Sequence, residues 1–189
     1  MSQFEKNEEL PFFSFEKIFI LGLHLTQKLM KKLLLALVCA LCLSLPSVAQ
    51  ELKSKLLFEV TFNLKPGVEV GQTLAGKRTI YPVLDGFFDG PNLKGKVLTV
   101  GADWLLQLNE TTNKLDVRVT LQTNEGENIY MTYQGYLKLN ADGTYYFRTT
   151  PYFETSSKKL AYLNHTVSVG VGTLVKMGET VSYKVYEIL

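Results

Sequence analysis

Cysteine is almost absent from this chain. The two present, Cys39 and Cys42, both fall in one apolar run near the N-terminus. Whatever folds after that run has no thiolate nucleophile, no disulfide and no cysteine metal site, and is stabilised by its core alone. Histidine is nearly as scarce, and only His165 lies beyond residue 50. Transition metals take three or four clustered ligands, so no metal site is expected. A Ser-His-Asp triad would need His165, and no nucleophile-elbow sequence accompanies it. Charge of one sign is also lacking. The net charge is +2, and residues 50–189 hold 15 basic against 14 acidic side chains. That balance excludes a nucleic-acid groove as partner surface. Gly170-Val171-Gly172 is too short for a phosphate-binding fingerprint, and no pattern implies a cofactor.

Long hydrophobic runs are missing too. The longest, Leu33 to Leu45, follows Met30-Lys31-Lys32 and precedes Pro46-Ser47-Val48-Ala49-Gln50. It is well short of the about 20 residues a membrane helix needs. A basic start, a short apolar stretch and small residues at Ser47 and Ala49 are the layout of a cleaved export signal. Residues 30–49 are therefore expected to be removed, leaving Gln50 as the new N-terminus of an exported, periplasmic or secreted protein with no stable membrane anchor. Neither cysteine is preceded by the small residue that lipidation requires. Residues 1–29 precede a complete signal and are read as an over-extended N-terminus; a long signal n-region with a second apolar stretch is the alternative.

What remains, residues 50–189, is one domain's worth of chain, enough to bury roughly two-thirds of its unfolded surface. It alternates apolar and polar residues with period two, is rich in Tyr, Phe, Val and Thr, and nowhere sustains a 3.6-residue period over three turns. Strands are predicted at Ser54–Leu64, Lys77–Leu84, Gly95–Val100, Trp104–Leu108, Leu115–Thr123, Asn128–Leu139, Thr144–Thr150, Ala161–Val171 and Val181–Ile188. Turn chemistry separates them at Pro66-Gly67, Asp85-Gly86, Asp89-Gly90-Pro91, Asn124-Glu125-Gly126 and Asn140 to Gly143. Eight or nine strands with short connections predict a single antiparallel up-and-down β-barrel, with a two-sheet sandwich second. Closure removes exposed edges, and about eight strands leave a lumen for side chains or one small ligand.

Several segments carry a resemblance. Val70 to Arg78 forms a glycine-rich opening, and Asp85-Gly-Phe-Phe-Asp89-Gly90-Pro91 leads to Gly95. Gly101-Ala-Asp103-Trp104, Leu115-Asp-Val-Arg118, Tyr146-Phe-Arg148-Thr-Thr-Pro151-Tyr-Phe-Glu154 and Ala161-Tyr-Leu-Asn164 follow in order. Together they resemble the domain of unknown function 3237, also called uncharacterised protein family 0311, from about Val70 to Leu189. The chain departs from that pattern at Asn124-Glu125 and at Tyr162. The resemblance implies a barrel similar to small barrels of the allene oxide cyclase type, and no shared activity.

The polar residues of these segments are the candidate ligand-binding set: Asp103, Trp104, Arg118, Tyr130, Arg148, Glu154 and Asn164. A carboxylate such as Asp103 or Glu154 in an apolar cavity becomes a general acid or base near neutrality. Each could equally pair with an arginine or cap a turn. Arg118 and Arg148 could clamp a ligand carboxylate or phosphate, or pair with Asp116 or a nearby glutamate. Trp104 is a core anchor or a stacking wall. Strand alternation puts Leu115, Val117, Val119 and Leu121 inward, against Asp116, Arg118, Thr120 and Gln122. A polar lumen inside a homo-oligomer remains open. If the arginines and Asn164 face solvent, the pocket is expected instead around Tyr133, Tyr145, His165 and Tyr183. His165, alternating with Leu163 and Val167, is expected to face the apolar side. The leading function is binding of a small apolar or amphipathic molecule in the barrel. The alternatives are an isomerase, cyclase or lyase using a buried carboxylate and an arginine, or a purely structural domain.

Overall fold

The computed structural model describes residues 15–43 and 51–189. The first segment is a helix, α1 (Phe15–Leu43), and the second is a separate β-unit, Glu51–Leu189. α1 runs through Met30, where the over-extended segment and the export signal were divided. Among the described residues no helix is long and apolar enough to cross a membrane. The cleavage residues Ser47, Ala49 and Gln50 lie outside the described residues.

The β-unit has nine strands: β1 (Ser54–Leu64), β2 (Val68–Thr73), β3 (Gly76–Asp89), β4 (Lys94–Gln107), β5 (Thr112–Thr123), β6 (Asn128–Leu139), β7 (Tyr145–Glu154), β8 (Ser168–Lys176) and β9 (Thr180–Ile188). β3 to β9 form an antiparallel meander. β1 pairs with β9 on one side and β3 on the other, which closes eight strands into a barrel. β2 continues the line of β1 after a break at Lys65-Pro66-Gly67. Proline lacks a ladder donor, and the chain is held across the break by the Lys65 amide donating to the Pro82 carbonyl at 2.8 Å. The N-terminal half of β3 pairs with β2, and its C-terminal half with β1. The barrel wall is therefore taller on that side.

Three expectations are corrected. The segments Gly95–Val100 and Trp104–Leu108 are one strand, β4. Gly101 lies within it at a positive φ of 140, which favours glycine, and an added Cβ would lie 2.2 Å from the Arg118 carbonyl oxygen. Asp85-Gly86 is a bulge inside β3 rather than a turn. Ala161–Val171 is not a strand: Ala161–His165 is a short 3₁₀ helix, and β8 starts only at Ser168.

The inward faces fill the barrel unequally. At one end Phe58, Phe88 and Phe153 pack edge to face, with ring centroids 5.5 and 5.9 Å apart. Leu93 and Leu160 from the loops and Leu163 from the 3₁₀ helix join the same core, all three at most 4% exposed. The other end is hollow.

Candidate functional site

The hollow end is a cavity of about 250 Å³. Strand alternation builds it. On β5, Leu115 and Val117 point inward; on β6, Tyr133 and Leu137; on β7, Phe147; on β9, Val181 and Tyr183. β3 contributes Thr79, Tyr81 and Val83, and β4 contributes Asp103, Leu105 and Gln107. Its mouth carries an ion pair, Lys77 Nζ to Glu69 Oε1 at 3.1 Å, and the β8–β9 turn at Met177-Gly178.

Three polar groups meet in its wall. Tyr133 and Tyr183 stand with ring centroids 5.3 Å apart, and Phe62 and Phe147 pack edge-on against Tyr183 at 5.9 and 5.0 Å. Asp103 joins them from β4. Its carboxyl is pushed up to about 7, first by burial, then by the neighbouring Asp116 charge. The Asp116 backbone amide, donating to Oδ1 at 3.2 Å, and the Arg78 guanidinium act the other way. Burial also raises both phenols well above their ordinary range, and an Asp103 charge raises them further. Both tyrosines therefore stay protonated hydrogen-bond donors.

Asp103 points inward by the alternation it shares with Leu105 and Gln107, and just beyond it the β4–β5 ladder lapses between the pairs Asp103–Val117 and Leu106–Lys114. Across the lapse, the Trp104 carbonyl accepts instead from the Arg78 guanidinium, and the Asp116 amide donates to the Asp103 side chain. Side chains satisfy backbone groups that strand pairing leaves over, as buried peptide groups require.

Of the seven candidate residues, Asp103 alone lines the cavity. Trp104 and Arg118 are together on the outer face, the guanidinium carbon 5.1 Å from the ring centroid. Arg118 also pairs loosely with Asp116 at 3.5 Å. Arg148 is on the outside of β7 beside Tyr146 at 5.2 Å, donating to its neighbour's carbonyl. Tyr130 and Glu154 face each other across β6 and β7, both exposed. Asn164 clamps the loop before the 3₁₀ helix: it accepts from the Thr155 amide at 2.8 Å and donates to the Thr155 carbonyl at 3.0 Å. These six are not brought together. The structure divides the fallback pocket's four residues. Tyr133 and Tyr183 are in it, whereas Tyr145 and His165 are exposed. His165 is turned out because it ends the 3₁₀ helix, whose repeat of three buries Leu163 and exposes its neighbours. Tyr81 and Thr79 were missed; the alternation of Lys77, Thr79, Tyr81 and Val83 along β3 held the signal.

Known proteins share this architecture. The family described as "Protein of unknown function (DUF3237)" matches residues 52–188. A solved β-barrel-like protein of Acinetobacter baumannii is similar with a TM-score of 0.70 at 34% identity, over 76% of this chain and 99% of that one. A UPF0311 protein of Clostridium acetobutylicum is 28% identical over 153 residues, 74% of this chain and 96% of its own length. A solved protein of unknown function from the same organism has a TM-score of 0.68 at 27% identity, over 75% and 99% of the two chains.

Proposed function

This chain belongs to the DUF3237 family of proteins of unknown function, and from the geometry of its barrel we propose that it binds a small, largely apolar molecule with one polar group in the hollow end. One observation carries the reading: one end of the lumen is filled by the Phe58, Phe88 and Phe153 cluster while the other holds a cavity of about 250 Å³. Small-molecule sites are apolar recesses with a few converging polar groups. Here the apolar part is Leu105, Leu115, Val117, Leu137 and Phe147, and the converging groups are Asp103, Tyr133 and Tyr183. A ligand carbonyl or hydroxyl suits two phenol donors. An anionic head suits them less, because an ionised Asp103 would repel it.

Native mass spectrometry of the purified protein and of a Leu105→Trp variant tests this. The wild type is expected to carry, or to take up from a panel of small ketones and phenols, one molecule per chain. The tryptophan fills the cavity and is expected to abolish that uptake while the fold persists. Uptake unchanged in the variant would place the ligand elsewhere, and no uptake by either protein would sink the reading. We propose further that the barrel works as an exported protein starting at Gln50, a reading supported by the signal-like layout of residues 30–49. Intact-mass measurement after expression in a bacterial host is expected to show loss of those residues, and a retained segment would count against export.

A further inference from the structure

We infer that the hollow end of the barrel transfers protons at carbon: Asp103 takes a hydrogen α to the carbonyl of a small apolar ketone, and Tyr133 and Tyr183 hold the oxygen that becomes negative. The inference rests on the binding reading above and adds chemistry to it.

The placement of the three groups carries it. They come from β4, β6 and β9, and closure of the barrel brings them to one cavity, whose remaining lining is apolar side chains together with Thr79, Tyr81, Gln107 and Asn113 and the Lys77–Glu69 pair at its mouth. The Asp116 amide fixes one oxygen of the Asp103 carboxyl at 3.2 Å, so the base is oriented before any ligand arrives. A base and an oxyanion site both act best when they need no rearrangement during the reaction. Tyr183 is locked on three sides by the rings of Phe62, Tyr133 and Phe147, at 5.9, 5.3 and 5.0 Å. The phenols supply the donors, since Arg118 and Arg148 are outside the barrel, Arg78 bonds the Trp104 carbonyl, and Lys77 pairs with Glu69 at the mouth. Burial keeps both phenols protonated, while Asp103, pushed up to about 7, is a stronger base than an exposed carboxylate and still ionises near neutrality.

The step balances without an added reagent. The Asp103 carboxylate takes the α-hydrogen as a proton. The C–H electron pair becomes the carbon–carbon π bond of an enolate, and the carbonyl π pair moves onto oxygen, where the phenol hydrogens meet it. The neutral Asp103 swaps its proton with solvent and delivers one to the α-carbon, giving exchange, or passes the proton it took to a γ-carbon in an unsaturated ketone, giving the isomer. No net atoms or electrons are gained or lost.

The test uses the full β-unit within the intact chain, with 2-tetralone as the ketone and 2-naphthol, which has the shape of its enol, as the binding probe. Wild-type protein is expected to bind 2-naphthol by fluorescence and to speed deuterium uptake at the α-carbons of 2-tetralone in D2O, read by mass spectrometry. The rate is expected to rise with pH and level off above about 7, where Asp103 is ionised. Asp103→Asn keeps an acceptor for the Asp116 amide. It is expected to bind 2-naphthol about as well and to lose roughly 100-fold or more of the exchange rate, the usual contribution of a general base. Tyr183→Phe is expected to weaken both binding and exchange, and Glu154→Gln, on the outer face, neither. Binding of 2-naphthol with exchange no faster than in buffer, or with exchange undiminished in Asp103→Asn, overturns the inference and leaves the binding reading standing. Neither binding nor exchange overturns both.

Discussion

At Asp103 the stability of the fold and the chemistry of the cavity depend on the same proton. Its folded-state value is raised from 3.8 to about 7, so between those two values the folded protein holds a proton that the unfolded chain has released. Stability from this group is accordingly full below the unfolded value and declines as pH rises to about 7, beyond which the ionised carboxylate sits buried at a constant cost. Asp103→Asn removes that cost. The variant is expected to match the wild type at pH 4 and to exceed it at pH 8 by at most about 4 kcal/mol, measured by urea unfolding at both values. A gap that grows toward low pH instead would mean that the side chain is not held as described. Arg118, by contrast, stacks on Trp104 in open solvent, where such pairs contribute about 0.5–1 kcal/mol, and its role is confined to the outer wall.

The strands differ in how firmly they are joined. β6 and β7 share ten register pairs, whereas β7 and β8 share two, Arg148–Val171 and Thr149–Gly170. That seam closes through glycine. A Cβ added at Gly172 would lie 2.5 Å from the Phe147 ring, and one at Gly170 2.2 Å from the Thr149 hydroxyl. Gly172→Ala is expected to lower stability by about 1–3 kcal/mol, the ordinary result of overpacking, with a matching fall in melting temperature. Unchanged melting would show that the seam is slack enough to absorb a methyl group. Legibility in the sequence followed the same physics. β6 was read to its end residues because unbroken alternation meets a buried face along its length, and β1 likewise although a bulge at Leu57 interrupts its alternation. β2 was missed because Val68 and Val70 are exposed and bury no face that would mark a strand. The segment Leu163, His165, Val167 alternates like a strand, yet its backbone takes a 3₁₀ turn, and only Leu163 is buried.

For the molecule as a whole, closure of the barrel could be read from strand number and turn chemistry, and strand alternation correctly separated Val117 inside from Arg118 outside. The site was less legible. Asp103, Tyr133 and Tyr183 are far apart in sequence and meet only once β1 joins β9 to β3. A set chosen by likeness to a family gathered polar residues from both faces of the wall, and six of the seven proved to lie outside the cavity. The lapse in the β4–β5 ladder has one more consequence, because it wires the interior to the backbone. The amide of Asp116 donates to the very carboxyl whose proton the cavity controls. Its nitrogen and hydrogen resonances are therefore expected to shift with a midpoint near pH 7, and that midpoint is expected to move when the cavity fills, while amides on β7 stay still. A single main-chain signal would then serve as a gauge of both the charge and the occupancy of a chamber that no probe has to enter.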